Sequence, residues 1–361
     1  MIVPSKYQDN PAAEPVKAEA SPSRSLDRAC CRIKEVFRGT NHSEKLNLFL
    51  INRGPEMGST FKFPDEQSCR DAFKEYRLKV GVKCRKCGNT EHYWMKSVEQ
   101  FQCKQCRTRT TLRSGTVMQD SNLSFRIWFV VMHLMTSTKK GFSAKEIQRQ
   151  LGHKRYEPIW YMMQKIRTAM GARDEQYVLT GATELDEGFF TTVDSENRGK
   201  CSHKLKRGRG SERQTPVMVM AESSRSKKRK KGRPAYSCRY FKMEAMPDLT
   251  SNTVVTIAQE SLDPGCRVKT DNFSSYSKLN RVIKKHIAKT IKPKDAGKEL
   301  PWVHISISNA KRNFLNNFHH IDDSYLQNYL DEFTYKLNRR FLSDRLFERL
   351  LIACIAFCWI L

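Results

Sequence analysis

Residues Thr183–Phe190 read TELDEGFF, an apolar, strand-like stretch with Asp186 at its centre. A carboxylate inside a buried strand is costly unless it is paired or binds a cation. By strand alternation Glu184 shares the face of Asp186, while Glu187 points to the opposite face. A second carboxylate, Asp271, ends CRVKTD (266–271) just before Asn272 and Phe273. Taken singly, each aspartate reads as a strand-end cap or turn residue. Taken together on neighbouring strands, they are what two Mg²⁺ ions need in order to activate water and clamp the leaving oxygen of a phosphodiester.

The surrounding segments give the fold class. TELDEGFFTTV, TPVMVMAE, CRYFKM and CRVKT carry strand signals, and Thr250 opens a helix at about 250–262. Helices follow at 303–317 and 323–341, the second with a stripe of Leu326, Leu330, Phe333, Leu337 and Phe341 that reads as core packing. Lys336, Arg339 and Arg340 are expected to point outward from it. The expected class is α/β, a mixed sheet with flanking helices.

Ahead of the strands, Cys84-x₂-Cys87 and Cys103-x₂-Cys106 lie 15 residues apart. Four thiolates at this spacing close a tetrahedron around structural Zn²⁺, the pattern of a zinc ribbon. His92 lies within it and reads as a non-ligand. The remaining cysteines (Cys30, Cys31, Cys69, Cys201, Cys238, Cys266, Cys354 and Cys358) lack ligand spacing. In the segment 142–170, Ser143 caps a helix to Leu151, Gly152-His153 breaks it, and a second helix runs from about Glu157, a helix-turn-helix pattern. Lys154, Arg155, Tyr156, Gln164 and Lys165 are its candidates for reading a major groove, with Trp160, Met162, Met163 and Ile166 as core. Two-helix hairpins without DNA are common, so this reading leans on its context.

Charge supplies that context. The chain has 65 Lys and Arg against 38 Asp and Glu, a net +27, and a field of that sign suits nucleic acid. Residues 198–239 hold 15 Lys or Arg against two Glu. Within that run Lys227, Lys228, Arg229, Lys230 and Lys231 are candidate phosphate contacts, against the plainer reading of a solvated loop. The run also passes for a nuclear-localisation signal. No apolar leader segment opens the chain, and Leu350–Leu361 is too short to span a bilayer, so it reads as a buried helix. No membrane and no small-molecule substrate are implied. The expected location is the cytoplasm of a bacterium, at the nucleoid, or the nucleus in a eukaryotic host.

The motifs, in their order, resemble insertion-sequence transposases of the ISXO-like group. The matching segments are FPDEQSC (63–69), the two cysteine knuckles, LRSGTVMQDSNLSFRIWF (112–129), KKGFSAKEIQRQLG (139–152), ELDEGFF (184–190), LPWVHISISNAKR (300–312) and YLQNYLDEF…NRR (325–340). The resemblance implies an RNase H-like transposase domain, binding to the terminal inverted repeats of double-stranded DNA, and Mg²⁺- or Mn²⁺-dependent cleavage followed by strand transfer. It also implies a homodimer or larger assembly. Asp186 and Asp271 take the first two catalytic positions. The third, acidic in DDE-type enzymes, falls at Asn309, with 37 residues between it and Asp271. An amide oxygen can ligate Mg²⁺ but adds no charge. Arg312, three residues on and on the same helix face, is the expected active-site cation. Lys311, Arg339 and Arg340 are expected on the DNA backbone. DEGFFTT departs from the Gly-Gly of many relatives.

The expected organisation is a mobile arm (1–60), a ribbon with its preceding helix (61–115) and a helical DNA-binding region (116–178). A catalytic domain (179–345) with a basic insert at about 198–236 and an apolar C-terminal helix (346–361) complete it. The rival readings are a DNA-binding protein that no longer cuts and a nuclease without strand transfer.

Overall fold

In the computed structural model, the described residues are 65–193, 213–225, 236–291, 296–318, 321–342 and 345–357. The expected mobile arm, Lys227, Lys228, Arg229, Lys230 and Lys231, and Cys30, Cys31, Cys201 and Cys358 lie outside them.

Local sequence explains the first elements. Helix α1 (Glu66–Val80) begins where the Asp65 carboxylate accepts from Ser68 N at 2.7 Å. Strands β1 (His92–Met95), β2 (Gln100–Cys103) and β3 (Arg109–Thr111) form an antiparallel sheet in the order β1-β2-β3. Ser124 caps α2 (Phe125–Ser137), and Ser143 caps α3 (Ala144–Leu151). Gly152 closes α3 at φ +62°, a left-handed conformation that glycine adopts without a Cβ clash. Helix α4 (Glu157–Glu175) follows.

The larger sheet comprises β4 (Ala182–Thr191), β5 (Gln214–Arg225), β6 (Tyr236–Ala245), β7 (Arg267–Asp271) and β8 (Lys285–Lys289), in the order β6-β5-β4-β7-β8. The first three strands are an antiparallel meander. Helix α5 (Ser251–Ser261), capped by Thr250, carries the chain across to β7, which pairs in parallel with β4 and β8. This is the α/β, RNase H-like mixed sheet with flanking helices. The sequence reading missed β8, which carries little apolar signal.

Alternation on β5 divides the core. Met218 and Met220 pack with Leu185, Val254, Ala258 and Tyr276 on the α5 face. Val217, Val219 and Ala221 pack on the other face, against α6 (Pro301–Asn317) and α7 (Leu326–Asn338). The edge of β6 is covered by amides of α7. Gln327 bonds Ala245 N (2.8 Å) and Met243 O (3.0 Å), and Asn338 bonds Phe241 N (2.8 Å) and Phe241 O (3.0 Å).

A third core joins α1, α2 and α4 to the ribbon. The C-terminal helix α8 (Leu346–Ala356) returns to it, burying Leu350, Leu351 and Cys354. Among the described residues, no helix is long and apolar enough to cross a membrane.

Two outward-facing expectations fail here for one reason, packing from distant elements. Lys336 and Arg339 are only 9% and 8% exposed. Lys336 pairs with Glu332, and Arg339 bonds Asp174 at 2.6 Å while its guanidinium lies 3.7 Å from the Tyr335 ring centroid. Arg339 is therefore a buried structural cation, not a DNA contact. Phe341, expected in the apolar stripe, lies beyond the end of α7 and is 77% exposed.

Candidate active site

The middle of β4 and the end of β7 carry the two aspartates. Their parallel register pairs Ala182, Thr183 and Glu184 with Arg267, Val268 and Lys269. Two residues further along, this register sets Asp186 beside Asp271. Carboxylate oxygens of Asp186, Asp271 and Glu187 all lie within 4.8 Å of one another, each half-buried. Backbone N–H groups orient two of them: Glu187 N donates to Asp186 Oδ1 (2.9 Å), and Phe273 N to Asp271 Oδ1 (3.2 Å). Buried Tyr276 donates its hydroxyl to Glu187, and burial with that carboxylate beside it pushes the phenol well above its usual range. Three anions this close repel one another, and a divalent cation relieves that repulsion.

Glu187 was missed because alternation sent it to the other face. Its pairing with β5 runs on to Thr191, so alternation holds and Glu187 lies on the face of Met218 and Tyr276, yet its carboxylate still comes within 4.8 Å of both aspartates. Glu184, the sequence candidate for supporting the site, does something else. Its Oε2 accepts from Trp302 N (2.8 Å) and Val303 N (3.3 Å), the free N–H groups at the start of α6. Burial raises its carboxyl above the ordinary value while those N–H groups pull it down. Pro301 at the first turn has no N–H to satisfy.

That cap fixes α6 against β4. A Cβ on Gly188 would sit 3.3 Å from Ile307, so the helix crosses the strand at a residue with no side chain. His304 then comes to the carboxylates, with Nε2 3.5 Å from Asp186 Oδ2. Burial lowers its pKa, which favours the neutral imidazole. Asn309 stands five residues on, about 140° around the helix and about 7.5 Å along it. It is exposed and lines, with Arg312, a cavity whose described lining includes neither aspartate nor His304. Lys311, seven residues after His304, shares the His304 flank and has Nζ 5.8 Å from the Phe190 ring centroid. The helix thus sets Lys311 on the His304 flank and Arg312 in the lining of the Asn309 cavity. His304 carries no special signal in the sequence. Only the register of α6 against β4 brings it in.

The ribbon fits its metal. Sγ atoms of Cys84, Cys87, Cys103 and Cys106 lie within 4.8 Å of one another, with Cys84–Cys106 at 3.4 Å and Cys87–Cys103 at 3.5 Å. The edge of a zinc–sulfur tetrahedron is about 3.8 Å. Both knuckles turn through positive φ, at Gly88 and Arg107. Hydrogen bonds from the Thr108 hydroxyl and N–H pull the Cys106 thiol down to about 6, toward the thiolate that zinc requires. His92 stays outside the cluster, its Nδ1 3.0 Å from Thr90 O.

The helix-turn-helix path forms, but its second helix is not a free reading head. Gln164 and Lys165 are 4% and 7% exposed. Gln164 bonds Tyr329 and Asn328, and Lys165 donates to Gln119 O at 2.9 Å. Helix α4 is enclosed by α2, α7 and α8, so these two residues are corrected to core. Met162, Met163 and Ile166 are buried as expected, and Lys154 and Arg155 in the turn remain exposed.

Residues 178–338 match the ISXO2-like transposase domain, and residues 64–109 the transposase zinc-ribbon domain. Both aspartates, Glu187, His304 and Asn309 fall within this transposase domain, and all four ligand cysteines fall within the ribbon. A solved structure titled "Crystal structure of a pre-cleavage Mos1 transpososome" aligns over 93% of this chain and 97% of that one, at 10% identity and a TM-score of 0.20. Comparison with curated proteins finds no match.

Proposed function

We propose that the protein is a DNA transposase that binds the terminal inverted repeats of its element, cleaves there and transfers the freed strand to target DNA. The observation that carries this reading is the cluster of Asp186, Glu187 and Asp271 on adjacent parallel strands, within the segment that matches the ISXO2-like transposase domain. These carboxylates would hold Mg²⁺ or Mn²⁺, two ions in the full site. Such ions lower the pKa of bound water and stabilise the leaving oxygen of a phosphodiester. Glu187 supplies the third carboxylate that Asn309 lacks, which favours a cutting enzyme over a silent binding protein. His304 faces Asp186 Oδ2 and orients that carboxylate, and Glu184 sets His304 by anchoring the start of α6. Cutting one end and joining it to a target needs two DNA ends together, so the working form is a dimer or larger assembly.

The test is nicking of DNA bearing the element's own ends in Mg²⁺ or Mn²⁺. Asp186→Asn and Asp271→Asn are each expected to abolish it. Nicking that survives both changes would remove these residues from the site. Specific binding without nicking by the unaltered protein would favour the binding-only reading.

A further inference from the structure

On the flank of α6 turned away from Asp186, a cavity of about 570 Å³ opens between α6, α7 and the loop preceding α3. Five cations reach it: Lys139, Lys140, Arg312, Lys336 and Arg340. Two of these are held in place. Lys336 Nζ donates to Lys140 O at 3.0 Å, and the Arg340 guanidinium donates to Leu337 O (2.8 Å) and Cys238 O (2.7 Å). Among the described residues, the side chains of Lys139, Lys140 and Arg312 make no ion pair, and no carboxylate lines the cavity. Uncompensated positive charge in a concave site calls for an anion.

Charge alone describes a phosphate surface, but two further features narrow the ligand. Asn309 and Asn316 present carboxamides with no hydrogen-bond partner among the described residues, each with a donor and an acceptor, the pairing that matches a base edge. Phe341 is 77% exposed at the rim, with the Arg340 guanidinium 4.3 Å from its ring centroid. An exposed ring backed by a cation is a stacking platform for a flat heteroaromatic group. The volume is within the range of small-ligand sites, roughly 300–1,000 Å³, and far too small for a duplex.

We propose that this cavity receives a single nucleotide of the bound DNA, turned out of the base stack, with its base on Phe341 and Asn309 and its phosphate on Arg312 and Lys139. This rests on the transposase reading and gives Asn309 a role in recognition. The distance suits it, since His304 and Asn309 are about 7.5 Å apart along one helix, so one strand reaches both sites. Taking a base out of its stack costs a few kcal/mol, least where the duplex end is already frayed.

The test measures binding of the full chain to a labelled eight-nucleotide thymidine strand and to a duplex of equal length, by fluorescence anisotropy without divalent ions. Asn309→Leu and Phe341→Ala are each expected to weaken single-strand binding roughly ten-fold, with duplex binding changed less than about two-fold. Equal losses on both probes would reduce the cavity to a general phosphate surface and overturn the proposal, as would no loss on either. Free thymidine monophosphate binding as tightly as the strand would also overturn it, by making a small nucleotide the ligand. In element-end duplexes carrying 2-aminopurine at successive positions, the unaltered protein is expected to raise fluorescence at one position, and Phe341→Ala to abolish the rise. A flat response at every position refutes an extrahelical base. None of these measurements involves metal or cleavage, so they fail independently of the chemistry at Asp186.

Discussion

The contact between α4 and α7 yields a quantitative prediction for Glu332→Gln. Arg167 Nε lies 2.9 Å from Glu332 Oε2, with side chains 1% and 5% exposed, and Lys336 Nζ lies 3.4 Å from the other oxygen. The Arg167 guanidinium is further held 4.2 Å from the Tyr329 ring centroid. Burial works to raise the Glu332 carboxyl, but Arg167 and Lys336 outweigh it and keep it below its ordinary value. One anion therefore balances two buried cations. Neutralising it strands both, and breaking a buried pair from one side costs about 3–5 kcal/mol. For a domain of this size that is a fall on the order of 10 °C in Tm. Differential scanning calorimetry on the full chain with zinc bound reads it directly. The triple change Arg167→Met, Glu332→Leu and Lys336→Met is expected to recover much of the loss, because apolar groups of similar volume often replace buried paired charges at little cost. A fall below about 1 kcal/mol for Glu332→Gln would refute the view that this pair is desolvated and tightly coupled.

Three further outcomes follow from the same geometry. His304→Ala and Glu187→Gln are expected to weaken Mn²⁺ binding, read by electron paramagnetic resonance, by about ten-fold or more. Asn309→Ala is expected to leave it unchanged, and the reverse ranking would restore Asn309 as a ligand. Cys103→Ser is expected to release zinc, measured by metal analysis, and to lower the stability of the core that includes Val82, Phe101 and Leu112, because ligand binding is folding free energy in such modules. For Glu244, burial raises the carboxyl to about 7. A raised folded-state pKa means its contribution is fully present below the unfolded value near 4.5 and is lost as pH rises toward 7. The side chain is partly exposed, so the discounted effect is about 1–2 kcal/mol. Glu244→Gln should flatten the decline in denaturant stability between pH 5 and 8, and an unchanged pH profile would contradict this.

Much of the molecule was legible because its signals are local. Two knuckles of fixed spacing suffice to specify the ribbon. Asp65, Ser124, Ser143 and Thr250 mark helix starts, since a cap needs only a side chain and the next turn's N–H. Alternation placed Asp186 on a strand, and Asp271 at a strand end made a metal pair the natural reading.

What sequence could not decide was which surfaces meet. Gln164, Lys165, Lys336 and Arg339 look like free polar groups until α4 and α7 are packed together, and burial belongs to that packing rather than to any residue. The third corner of the site depended on the rotation of α6, set by Glu184 at its start and Gly188 beneath it. A helix turns by about 100° per residue, so the same PWVHISISNAKRNF carries His304 to Asp186 and Asn309 to a different cavity. Composition and spacing determined the chemistry of this protein, and the crossing of one helix over one strand decided which residues take part in it.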